Sequence, residues 1–242
     1  MLLVDPMFKI LKGIAKTQTV TEEAAPGKGD WGRGLPVMDS AACPQGCAQC
    51  KEICPGGAIS EAGVDAKRCI YCHLCMEICP AGCISAVEVP VLAGSPSMEE
   101  LGKAMREKVK KVCQKSLHIR YVDAGACNGC DFEINSLTNP VYDIQQYGVD
   151  FVASPRHADM LLVTGVVTRN LEIALLKTYE AAPQPCLVVA VGSCACGGGI
   201  FREAYAAGGG VDKHLPVDVY VPGCPPTPAL IVKGILTAID RL

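Results

Sequence analysis

Aromatic residues are scarce in this chain, at 5% of 242, and only four histidines and one tryptophan are present. No Ser–His–Asp signature stands out, so hydrolysis by an activated serine is not indicated. Basic charge is not in excess: the formal net charge is −3, which gives no overall pull toward nucleic acid. No apolar run reaches the ~18 residues needed to span a bilayer. The opening stretch MLLVDPMFKI carries Asp5 and Pro6 and lacks the basic-then-apolar order of a secretory signal. A reducing, cytoplasmic setting is therefore expected. The formal GxGxxG from Gly27 to Gly32 has no strand pattern before it and no helix pattern after it, which excludes a dinucleotide site there.

What is abundant is cysteine. There are sixteen, with 25 glycines and 17 prolines to make tight turns. In a reducing compartment such thiols are metal ligands rather than disulfide halves. Nine lie from Cys43 to Cys83, one is Cys113, and six lie from Cys127 to Cys224. This spacing divides the chain into residues 1–34, an amphipathic segment and loop; 35–92, a cysteine-dense module; 93–116, a linker helix; and 117–242, a C-terminal domain.

In residues 1–17, Met7, Phe8, Ile10, Leu11 and Ile14 recur at helical spacing beside lysines. That pattern suits a membrane surface, a partner's face or the chain's own core. Ser97-Met98-Glu99-Glu100 is a capping box that should start a basic helix running to about Lys115. From residue 117, short aliphatic runs at 117–122, 149–153, 160–164, 187–191 and 217–221 predict strands. Helical patterns fall at 139–147, 170–181 and 228–242. Alternating β and α predicts an α/β domain with a parallel sheet covered on both faces.

The module at 35–92 is an internal repeat. Its second run, Cys69, Cys72, Cys75 and Cys79-Pro80, has the spacing C-x2-C-x2-C-x3-C-P. Its first run, Cys43, Cys47, Cys50 and Cys54-Pro55, has one extra residue after Cys43. A cubane cluster needs four thiolates at the corners of a tetrahedron. Three from one tight loop reach three irons, and in two-cluster modules the fourth cysteine of each run serves the other cluster. The expected sets are Cys43, Cys47, Cys50 and Cys79 for one [4Fe–4S] cluster, and Cys69, Cys72, Cys75 and Cys54 for the other. Zinc sites use separated ligand pairs, which argues against zinc. Cys83 is read as packing, and His73 as a surface residue. The module resembles bacterial two-cluster ferredoxins, and with the segment before it the ferredoxin-like subunit of complex I and its hydrogenase relatives. That resemblance implies an α+β ferredoxin-like fold.

In the C-terminal domain, Cys127 and Cys130 follow the first predicted strand, Cys194 and Cys196 the strand at 187–191, and Cys224 the strand at 217–221. Strand C-termini of a parallel sheet share one edge, where ligands bind. These thiols should converge there, enough for a third cubane, with Cys194 and Cys196 competing for one place. Gly197 to Gly199 suit a close backbone approach. Cys113 and Cys186 are read as buried hydrophobes. Glu133 reads as an acid in the first turn of a helix.

The segments CNGCDFE, GSCACGGG and PGCPP resemble the small subunit of [NiFe] hydrogenases, in the branch shared with the terminal-cluster subunit of complex I. This resemblance implies a flavodoxin-like fold and a proximal [4Fe–4S] cluster held by Cys127, Cys130, Cys194 and Cys224. Cys196 and Glu133 would then lie just behind it, Glu133 near a proton or quinone route. The implied role is the non-catalytic electron-transfer subunit of an oxidoreductase, with three [4Fe–4S] clusters serving a [NiFe] large subunit. A formate dehydrogenase or ferredoxin would stand at the other end. Membrane subunits would hold the assembly peripherally on the inner face of the cell membrane. A complex I-like quinone-reducing subunit is the alternative, disfavoured by the two residues between Cys127 and Cys130. A free multi-cluster ferredoxin is a third reading.

Overall fold

The structure, a computed structural model, describes residues 32–44, 46–94 and 116–239. The expected helices at 1–17 and 97–115, with Cys113, lie outside the described residues.

The front module is built from short pieces. Strand β1 (Leu35–Met38) leads to the first cysteine run and helix α1 (Gln49–Ile53). Strands β2 (Ile59–Ser60) and β3 (Gly63–Val64) form a small antiparallel pair. The second run carries α2 (Leu74–Ile78), and β4 (Ile84–Val87) returns to pair antiparallel with β1. Each run therefore has a one-turn helix ending at its Cys-Pro, as the repeat requires. Its own core holds Ile59, Cys75, Cys83 and Ile84.

The rear domain is a doubly wound sheet. Strand β5 (Leu92–Ala93) precedes the undescribed linker, and β6 (Leu117–Asp123) follows it. After β6 come α3 (Gly129–Ser136), β7 (Val149–Phe151), β8 (Met160–Thr164), α4 (Arg169–Ala181), β9 (Leu187–Val191), α5 (Gly192–Gly197), β10 (Val219–Val221) and α6 (Pro228–Ala238). The sheet order is β5-β10-β9-β8-β6-β7. The pairs from β10 to β7 are all parallel. Taken alone, those five strands run 2-1-3-4-5, the flavodoxin-like order. β8 and β9 are buried along their whole length, as strands covered on both faces must be. Leu162, Val189 and Val221 face one core, while Leu161, Val188 and Tyr220 face the other.

Two expectations needed correction. The sheet is mixed rather than wholly parallel, because β5 adds antiparallel to β10, with Val219 opposite Ala93. The helix expected at 139–147 is not an α-helix, while the one expected around Glu133 forms as α3. The Asn139 side chain accepts the N–H groups of Val141 and Tyr142 at 2.9 and 3.1 Å, which closes a turn and leaves only a 3-10 turn at Ile144–Tyr147.

Helix α6 starts on Thr227, whose Oγ1 accepts the Leu230 N–H, with Pro228 at the first helical position. Its Gly234 lies directly on the sheet, where an added Cβ would stand 2.2 Å from a methyl of Val221. Gly234→Ala should cost about 1–3 kcal/mol through overpacking, read as a lower denaturant midpoint with an unchanged slope.

Candidate metal centre

The C-terminal ends of β6, β9 and β10 open on one edge of the sheet, and each carries a cysteine loop. The Asp123 carboxylate accepts the N–H groups of Gly125 and Ala126, both at 2.7 Å, and turns the chain sharply after β6. Cys127 follows, and Cys130 sits in the first turn of α3. Cys194 lies in α5, which begins immediately after β9. Cys224 follows β10. The structure brings these four together: Cys130 has Cys194, Cys224 and Cys127 as charge neighbours, and Cys194 has Cys224 and Cys127. Cys127 and Cys224 are exposed, while Cys130 and Cys194 are partly covered.

Cys196 points elsewhere. It is buried, and its thiol donates to the Ala190 carbonyl at 3.5 Å. The helical turn of α5 places residues 194 and 196 on different sides, which separates two positions that spacing alone left open. Glycines shape the floor of the site. Gly192, at φ +88°, would carry a Cβ 2.5 Å from the Cys130 sulfur, and one on Gly199 would meet the Cys194 sulfur at 3.1 Å.

In the front module, Cys69 has Cys54, Cys75 and Cys72 as neighbours. Cys54, from the first run, thus stands with three cysteines of the second. The Cys54 sulfur accepts the Ala58 N–H at 3.3 Å, and the Cys69 sulfur accepts the Tyr71 N–H at 3.4 Å. Cys50 stands with Cys43 and Cys47 beside an open recess of about 390 Å³. Cys79 is joined to that group through Cys83, which contacts both Cys79 and Cys43. Backbone N–H groups of Cys83, then Ala81 and Gly82, aim at Cys79 and hold its thiol below the ordinary range.

Electrostatics say what these sets require. Burial, then neighbouring thiols, pushes Cys69 and Cys194 up to about 11, and Cys130 higher still. Converging thiolates in such places need a cation to offset their loss of water and mutual repulsion. Among the described residues no three His, Cys, Asp or Glu side chains close around the position of one metal ion. A single zinc ion would draw its sulfurs to about 2.3 Å. The donor chemistry fits a larger, soft, iron–sulfur group.

The two halves meet beside these sulfurs. The Ser193 hydroxyl, buried at 1% exposure, is shared between the carbonyls of Cys69 at 2.6 Å and Gly223 at 3.0 Å. Arg202 donates to the Gly56 carbonyl at 2.7 Å, and Lys67 lies 3.5 Å over the Tyr220 ring. Cys72 of the second run is a charge neighbour of Cys224. His73 is half-buried and bonds to the Gly34 carbonyl at 3.1 Å.

Glu133 lies one turn beyond Cys130 on α3, and burial raises its carboxyl above the usual range. Sequence pattern assigned no role to Asp131, which accepts hydrogen bonds from Tyr121 and Thr164 directly behind Cys130. Nor did it mark Ser193 or Arg202. Their partners stand 124 and 146 residues away, and no local pattern signals such contacts.

Fold and sulfur sets together define an iron–sulfur protein in which a ferredoxin-type module is fused to a flavodoxin-like domain. Residues 127–238 match the family model of the NADH ubiquinone oxidoreductase 20 kDa subunit, and residues 62–85 match a 4Fe–4S binding domain. The chain is 42% identical over 146 residues to formate hydrogenlyase subunit 7 of Escherichia coli, covering 60% of this chain and 57% of that protein. It is 41% identical over 143 residues to the probable membrane-bound hydrogenase subunit mbhJ of Pyrococcus furiosus, covering 58% of this chain and 86% of that one. An NADH-quinone oxidoreductase subunit of Citrifermentans bemidjiense is 41% identical over 113 residues, 47% of this chain and 66% of that one. The chain belongs to the family of that membrane-bound hydrogenase subunit, and its rear domain carries the match to the NADH ubiquinone oxidoreductase 20 kDa subunit.

Gly192→Ala would drive a methyl group into the Cys130 sulfur at a backbone angle that L-residues avoid. Iron bound per chain should fall while far-ultraviolet circular dichroism is retained, as colorimetric iron assay on anaerobically prepared protein would show.

Proposed function

We propose that this chain is the electron-transfer subunit of a [NiFe] hydrogenase complex. Twelve cysteines hold three [4Fe–4S] clusters: Cys43, Cys47, Cys50 and Cys79; Cys54, Cys69, Cys72 and Cys75; and Cys127, Cys130, Cys194 and Cys224. When bound, such clusters take up and release single electrons. The protein's own work is to hold them in order and out of water, and the chemistry on H2 belongs to the partner.

The observation that carries this reading is the continuity of the three sulfur sets. Cys72 is a charge neighbour of Cys224, so the middle set lies toward the rear one. The middle set bridges two cores, with Cys69 in the main one, Cys75 in the small front one and Cys54 packed against both, whereas Cys43, Cys50 and Cys79 pack only against the front one. The order is rear, middle, front. At the rear end Cys127 and Cys224 are open to a partner, with exposed Phe132 two residues past Cys130 and exposed Ile200 and Phe201 beside Gly199. That rim suits a large subunit carrying the catalytic metals. The front set suits a formate dehydrogenase or ferredoxin-type donor. Among the described residues no helix is long and apolar enough to cross a membrane. We infer that partner subunits hold the chain at the inner face of a membrane.

The similarity to hydrogenase subunits and the Cys127-x2-Cys130 spacing favour this over a quinone-reducing complex. The test is affinity purification of the native assembly. The complex should contain about twelve irons on this chain, contain nickel, and evolve or consume H2. A nickel-free assembly that reduces quinone would establish the alternative instead, and a chain recovered alone would leave the free ferredoxin. Cys224→Ala should remove about four irons and abolish H2 turnover, while dye reduction by the front sets persists.

A further inference from the structure

The two halves of the front module repeat each other closely, and they differ at one telling position. In the first, Cys54-Pro55-Gly56-Gly57 is followed by Ala58; in the second, Cys79-Pro80-Ala81-Gly82 is followed by Cys83. Gly57 and Gly82 both adopt positive φ, at +51° and +59°, so the two turns curl back alike. Ala58 then offers the Cys54 sulfur its backbone N–H. Cys83 brings its thiol as well: its sulfur lies 3.4 Å from the Cys79 sulfur, with Cys43 as its other contact. It is buried, at 8% exposure, in the small core between the two runs.

We propose that Cys83 donates its S–H to the Cys79 thiolate and so raises the reduction potential of the front cluster. The inference rests on the ligand sets given under Proposed function. Bound to iron, Cys79 carries no proton, so Cys83 must be the donor in this pair. A donor to a ligating sulfur withdraws negative charge. Reduction adds an electron to the cluster, so the hydrogen bond from the Cys83 S–H to the Cys79 sulfur is stronger in the reduced state and favours it. The middle set has Ala58 at the equivalent place and lacks this donor. Cys83 is thus a positioning residue for charge, not a ligand.

The experiment is an EPR-monitored redox titration of the full chain, wild type against Cys83→Ala and Cys83→Ser, with iron counted in each. Wild-type iron near twelve per chain upholds the ligand reading on its own, so the two ideas fail separately. With iron unchanged, Cys83→Ala should lower one of three potentials. The expected shift is about ten-fold in the reduced-to-oxidised ratio, or about 59 mV for one electron. Cys83→Ser, which keeps a donor, should restore most of it. After exchange into D2O, pulsed EPR should show one deuteron coupling to the front cluster in wild type that is missing in Cys83→Ala, where the couplings of the backbone amides at Cys79 remain. Equal potentials in all three proteins overturn the proposal. So does a loss of about four irons in both variants, which would make Cys83 a ligand.

Discussion

The structure depends on one costly act: gathering thiolates that repel each other in places where water is scarce. Burial, with the neighbouring sulfurs added, lifts the thiols of Cys69 and Cys194 to about 11. Left to themselves these groups would stay protonated. In the proposed ligand sets iron would supply the positive charge that makes them thiolates, so that metal binding and the local fold share one free energy. The protein lowers the remaining cost with backbone N–H groups aimed at sulfur, as at Cys54, Cys69 and Cys79. It also clears space with glycine where a Cβ would intrude, as at Gly192.

The joint between the halves follows from the same need. In the proposed function electron exchange falls steeply with distance, so a mobile tether would not serve. The chain instead merges the two modules. Leu35, Ala58, Ala66, Cys69, Tyr71 and Val89 of the front module belong to the same core as α6 and the sheet. Strand β5 leaves the front module and joins the rear sheet. Around the sulfurs, Ser193 ties the Cys69 carbonyl to the Gly223 carbonyl. A buried hydroxyl with two acceptors tolerates little sliding, because displacement would strand polar groups in a dry interface. Lys233 and Glu88, 2.8 Å apart at the surface, add only weak support to that joint.

Much of this was legible in the sequence because the decisive signals are local. The run from Cys69 to Pro80 encodes its loop through spacing alone, and β8 and β9 fall where their aliphatic runs stand. The convergence of Cys127, Cys194 and Cys224 followed from topology, since parallel strands end on one edge. What escaped was set by tertiary contact. The helix expected at 139–147 did not form because Asn139 uses its side chain to close a turn that resembles a helix in composition. β5 was missed because two residues, Leu92 and Ala93, carry no periodicity and become a strand only by lying against β10. The choice between Cys194 and Cys196 needed the rotation of a six-residue helix, which spacing does not contain.

The two halves also divide the labour of folding differently. The rear domain buries long aliphatic strands on both faces and packs α6 almost wholly inside, so its edge exists before any metal arrives. Its cysteines are carried on loops fixed by strands and turns, and the site is preorganised. The front module has strands of two to four residues, two five-residue helices and a small core in which Cys75 and Cys83 are themselves members. Elements that short do not stand alone. Its stability must come from metal and from the face it shares with the rear domain. Fusion therefore does more than fix a spacing: the rear sheet supplies a preformed wall on which the metal-dependent half is assembled.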